Sequence, residues 1–136
     1  MSAALTLTDQ DKATIRSAAY GAVSLLAAAS AEPHKAAIAG SMALSSATGQ
    51  IGHVLNAKSN DIHLSGKTVA DLADQVLPAL TAAIALLERQ NPGEADNFRT
   101  TVLVAVEAAA QASRNGQPDP VVNDMTRKVT AALHTA

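Results

Sequence analysis

The chain of 136 residues contains no cysteine. That absence removes disulfides, thiolate nucleophiles and zinc-cysteine sites together, and it leaves the redox compartment open. Aromatic side chains are nearly absent as well, with one Phe, one Tyr and no Trp, so any core is built from aliphatic groups. β-branched and aromatic residues, the usual material of sheets, are too few for several strands. A formal charge of −2 and a pI near 6.0 give no overall positive field, so binding of nucleic acid would need a local basic patch. The nearest approach to one is Arg127-Lys128, and Asp124 stands three and four residues before them, within ion-pairing reach on a helix. No nucleic-acid partner is expected.

Long uninterrupted apolar runs are missing too. None reaches the ~18 to 20 residues needed to cross a bilayer, so no membrane span is expected. Lys12 and Arg16 precede an apolar stretch that ends in Ala29-Ser30-Ala31, in the manner of an export signal. Asp9 and Asp11 offset the two cations, and Ser17, Gly21 and Ser24 interrupt the stretch. The expected location is therefore cytoplasmic.

What the chain has in quantity is alanine, 31 residues of 136. Alanine has the strongest intrinsic helix preference, and the pattern of caps, prolines and apolar periodicity divides the sequence into about five helices. A single all-α domain over residues 1–136, an antiparallel bundle of those helices, is the expected architecture. Thr8 is placed to cap the first helix, with Ile15, Ala19, Ala22, Val23, Leu26 and Ala29 on its buried face. Pro33 opens the second, which is read as continuing to Leu55 with Ile38, Met42, Ala47, Ile51, Val54 and Leu55 inward. The small residues between them, Gly40, Ser41, Ser45, Ser46, Gly49 and Gly52, are expected to let a neighbouring backbone approach, so that Gly49→Leu or Ser45→Leu would overpack.

The stretch "HLSGKT", His63 to Thr68, ends like a phosphate-binding loop. The full pattern requires glycine where Asp61 stands, and a preceding strand that the composition does not supply. Thr68 instead reads as the cap of a third helix, with Asp71 three residues on and an apolar stripe from Val69 to Leu87. Pro78 lies inside that stripe and predicts a kink, because it leaves the carbonyl of Asp74 without its helical donor. Asn91-Pro92-Gly93-Glu94 starts a fourth helix, apolar on more than one side around Phe98, Val102, Leu103 and Val104, which ends at Asn115-Gly116. Asp119-Pro120 starts a fifth with a seam of Val121, Val122, Met125, Val129 and Leu133.

Among groups able to do chemistry, His34, His53, His63 and His134 titrate nearest neutrality. No two are spaced to face one metal from one helix turn. His53 and His63 could converge through the loop between them with Asp61 as an oxygen ligand, which makes His53, Asp61 and His63 the candidate divalent-cation ligands; a solvated loop is the preferred reading. Glu32, Glu88, Glu94 and Glu107 lack the Glu-x-x-His pairing of di-metal bundles, and Glu107 is read as marking a solvent face. No GxSxG elbow is present. The residues assemble no nucleophile, base and oxyanion site, so the sequence leans away from an enzyme and implies no cofactor.

"AAYGAVSLLAAA" and "ADNFRTTVLVAVEAAAQA" resemble segments of small actinobacterial all-α proteins of unassigned function. The end of the chain, "AAQASRNGQPDPVVNDMTRKVTAAL", is similar to the helix-turn-helix of tellurite-resistance TerB-like domains. That likeness implies an acid in the turn and a second on the next helix; Asn115 stands at the first position and Asp124 near the second, so inherited metal binding is in doubt. The expectation is an association module, a homo-oligomer or a binder of a protein partner, with excess apolar surface on the first, fourth and fifth helices. The alternative is a bundle that holds a small ligand or a divalent metal.

Overall fold

The computed structural model describes residues 6–56, 68–114 and 119–135. Among these residues there are six α-helices and no strand: α1 (Asp9–Ala29), α2 (Pro33–Ser45), α3 (Gly49–Asn56), α4 (Val69–Gln90), α5 (Pro92–Arg114) and α6 (Pro120–Thr135). The composition therefore predicted the fold class correctly, and the helix starts follow from local chemistry. Thr8 accepts the amide hydrogen of Asp11 while Asp11 accepts that of Thr8, at 3.0 and 3.1 Å, a reciprocal cap on two otherwise unpaired donors. Thr68 accepts from Asp71 N–H at 3.1 Å. Asn91 Oδ1 accepts from Gly93 at 3.0 Å, and Asp119 Oδ1 from Val121 at 3.1 Å.

One expected helix is two. The segment from Pro33 does not run on to Leu55 but stops at Ser45 and restarts at Gly49. Ser46 and Ala47 donate back three residues, to Ala43 and Leu44, a tight closing turn. Gly49 then takes φ +72°, a left-handed backbone that glycine alone adopts without strain. Side chains from α5 hold this corner: Asn97 Nδ2 donates to Thr48 O at 2.9 Å, and Glu94 Oε1 accepts from Ile51 N–H at 3.0 Å. The other end of α3 is held from α1, where the Arg16 guanidinium donates to Val54 O and the Tyr20 hydroxyl to Leu55 O, each at 3.1 Å. A carboxylate thus meets the positive end of the α3 dipole and a guanidinium the negative end.

The long helices enclose one aliphatic core, and α1 and α5 each touch every other helix. Ala18, Ala19 and Ala22 on α1 are fully buried, which permits close helix approach. Phe98 is the one phenylalanine and is fully buried in α5. On α6, Val122, Met125, Val129 and Leu133 of the expected seam are buried, whereas Val121 is exposed. The carbonyls at the end of α6 are bonded from neighbouring helices, Ala132 O by Thr81 Oγ1 at 2.9 Å and Leu133 O by Arg99 Nε at 3.0 Å. α4 runs through Pro78, which faces solvent. By length and composition α4 is long and apolar enough to cross a membrane, with a mean hydropathy of 1.5 over an 18-residue window. Within the described residues 22% of that window is buried, and α4 packs against α1, α5 and α6.

Candidate functional site: the outward face of α2

The rotation of α2 about its axis is set by its smallest residue. Ala36, Gly40 and Leu44, spaced four apart, face the core. A Cβ added to Gly40 would lie 2.6 Å from Val23 Cγ1 and 2.9 Å from Val23 Cγ2, so α2 and α1 are in contact across a site where only hydrogen fits. This inward stripe turns Ile38 and Met42 outward, at 48% and 67% exposure. Both were expected inside; the close approach at Gly40 overrides the ordinary preference of large apolar groups for the core. Ser45 and Gly49 are exposed as well; at Gly49 an added Cβ would meet Asn97 Nδ2 at 3.3 Å and the Glu94 carboxylate at 3.4 Å, side chains of α5 and not a neighbouring backbone.

His34, Ala37, Ile38, Ser41, Met42 and Ser45 line a shallow, mostly apolar depression on this face. Of the serine hydroxyls on and beside this face, Ser45 donates to Ser41 O at 3.0 Å and Ser46 to Met42 O at 3.2 Å. Burying this face against an apolar surface would leave those two donors satisfied. The large exposed hydrophobic residues are Ile38 and Met42 on α2, Val104 on α5 and Val121 on α6. α5 and α6 were expected to expose apolar side chains and do, at Val104 and Val121; α2 was not expected to and does; on α1, where exposure was also expected, Ile15, Leu25 and Leu26 are all within the core.

A second depression lies between α5 and α6 around Val104, Glu107, Thr126 and Thr130. Its polar groups bond one another or their own helix: Gln111 donates to Glu107, Thr126 to Val122 O and Thr130 to Thr126 O. Glu107 is exposed, in keeping with a solvent face.

The candidate cation ligands are only partly placed. His53 is exposed on α3 and borders a shallow concavity with Ala47, Thr48, Gly49, Gly52 and Asn56; Asp61 and His63 lie outside the described residues. Among the described residues no three His, Asp or Glu side chains gather at one point. Of the phosphate-loop letters, Gly66 and Lys67 also lie outside them, and the Thr68 hydroxyl caps α4. The basic pair near the C-terminus is ion-paired as its spacing implied, with Arg127 and Lys128 both on Asp124, at 3.0 and 3.2 Å. Asn115 of the turn compared with TerB-like domains is outside the described residues.

Sequence reasoning missed the side chains that fix α3, namely Arg16, Tyr20, Glu94 and Asn97. A faint signal for Arg16 was available: it stands three and seven residues before Ala19 and Val23 of the expected buried face, and a buried cation requires a partner. With the architecture and its surface in view, comparison with known proteins adds no relative, since no protein-family model, no curated protein and no solved structure matches this chain.

Proposed function

We propose that this protein is a non-catalytic association module, and that the outward face of α2 is the surface through which it associates. One observation carries the reading. Ile38 and Met42 sit one turn apart with roughly half or more of their surface in water, beside a row of small side chains on the same helix. Isolated exposed apolar residues are ordinary, but adjacent ones bordering a common depression mark a surface that gains by being covered, at about 25 cal/mol per Å² of apolar area. The chain acts on this reading as a soluble, cytoplasmic protein, with the six helices forming one antiparallel bundle bent at Pro78 and α4 a core helix of it. No cofactor, nucleic acid or membrane enters the role.

A photo-reactive side chain installed at position 42, in the cells that make the protein, is expected to yield a protein adduct of one defined mass. The same group at position 74, an exposed site on α4, is expected to yield none. Absence of any adduct from position 42 overturns the reading.

A further inference from the structure

We infer that Met42 is a site of covalent modification: peroxide-class oxidants convert its thioether to a sulfoxide, which turns the outward face of α2 from apolar to polar while the fold stays intact. The inference concerns the chain by itself and does not depend on what that face meets. Competing sulfur is scarce. The chain has no cysteine, whose thiolate would otherwise take such an oxidant. Three methionines remain, of which Met1 lies outside the described residues. Met42 is 67% exposed, whereas Met125 is 6% exposed in the core seam of α6, with Val122 and Val129. A thioether reacts only where the oxidant reaches it. Met42 therefore reacts from the native state, and Met125 waits for an opening of the fold.

In the reaction a sulfur lone pair attacks one peroxide oxygen. The S–O bond forms as the O–O bond breaks, the transferred oxygen gives its proton to the departing hydroxide, and water leaves. Sulfur is oxidised and the peroxide reduced by the same electron pair. The product is a polar, chiral side chain in place of a flexible apolar one. At position 125 the new acceptor would lie between Val122 and Val129, both fully buried, whose side chains offer no donor, so the change is destabilising there. At position 42 water solvates it and no core contact is lost, so stability is kept. The surface does change. Of the six residues around the depression on α2, Ile38 and Met42 are the large apolar ones, and oxidation leaves Ile38 alone.

The purified full chain is to be treated with hydrogen peroxide and sampled over time. Cleavage after Lys and Arg places Met1, Met42 and Met125 on separate peptides, 1–12, 36–58 and 115–127, so mass spectrometry reads each site alone. The 36–58 peptide is expected to gain an oxygen atom at least about tenfold faster than the 115–127 peptide, since burial withholds the second sulfur. In urea that unfolds the chain the two rates should converge. The species oxidised at Met42 should elute earlier from a hydrophobic-interaction column, with a melting midpoint within about 2 °C of the untreated chain. Met42→Gln should elute early without oxidant, and Met42→Leu should keep its retention after treatment. Equal rates at the two sites in the folded chain overturn the inference. So does unchanged retention after full conversion at Met42, or a melting midpoint that falls well beyond that margin.

Discussion

The carboxylate of Glu94, in the first turn of α5, accepts the amide hydrogen of Ile51 in the first turn of α3 at 3.0 Å. Two helices that start 43 residues apart share one cap, because α3 has too few residues to be stable alone and follows a corner that leaves its first amides without helical partners. The same carboxylate accepts from Asn97 Nδ2 at 3.5 Å, and Asn97 in turn holds Thr48 O.

Glu94→Ala is therefore expected to destabilise the protein by about 1 to 2 kcal/mol, the range for a lost N-terminal cap. A thermal melt read by circular dichroism should show the midpoint falling by roughly 3 to 6 °C. Glu94→Gln, which keeps an acceptor but loses the charge, should fall between Ala and wild type. Equal midpoints for all three would mean that the contact contributes nothing.

At the other end of α3, Tyr20→Phe removes the donor to Leu55 O and is expected to cost about 1 kcal/mol. Arg16→Met keeps the length of the side chain and removes its charge; because it leaves the buried Val54 carbonyl without this donor, about 2 kcal/mol or more is expected. Urea unfolding measures both. Arg16→Met less costly than Tyr20→Phe would contradict the assignment of Arg16 as the stronger clamp.

Gly40→Ala is expected to cost about 1 to 3 kcal/mol, because the new methyl meets the branched side chain of Val23 and has no flexible group to displace. Ser45→Leu, on the exposed side of the same helix, should stay within about 0.5 kcal/mol. Gly49→Leu should be costly for a different reason, about 1 to 2 kcal/mol from the left-handed backbone. Denaturant midpoints in that order, with Ser45→Leu near wild type, check the orientation of α2.

Thr81 ties α4 to the last turn of α6 through Ala132 O. Thr81→Val is nearly isosteric and removes only the hydroxyl, so a loss of about 1 kcal/mol is expected. Hydrogen exchange at the C-terminal amides of α6 should quicken in this variant, while the amides of α2 keep their wild-type rates. Uniform acceleration across the molecule would show that the bond supports the whole fold and not that end.

Five of the six helix starts were legible because their signals are local. Thr8, Thr68, Asn91 and Asp119 cap within three residues of themselves, and Pro33 needs no amide where it stands. The start of α3 was not legible, since its acceptor is supplied by Glu94 from a distant part of the chain; Gly49 hinted at a break, but a glycine in a small-residue stretch also suits close packing. The face of α2 was misjudged for a related reason. Apolar periodicity places Ile38 and Met42 inward, and the decisive contact, Gly40 against Val23, depends on how near α1 lies. The small residues of this segment were rightly associated with close approach, but only Gly40 realises it between α2 and a neighbouring helix. Of the candidate surface, the sequence indicated apolar excess on the helices that carry exposed Val104 and Val121, and missed Ile38 and Met42 on α2.

The fastening of α3 by side chains from α1 and α5 sets an order of events under stress. Its anchors belong to a frame that does not depend on it in return for most of its core, so the short helix should peel away first while the long rods keep their packing. Such a species would bare Ile51 and Leu55 to water. Protease nicking confined to 49–56, at denaturant levels that leave the overall helical signal intact, would mark this weakest seam.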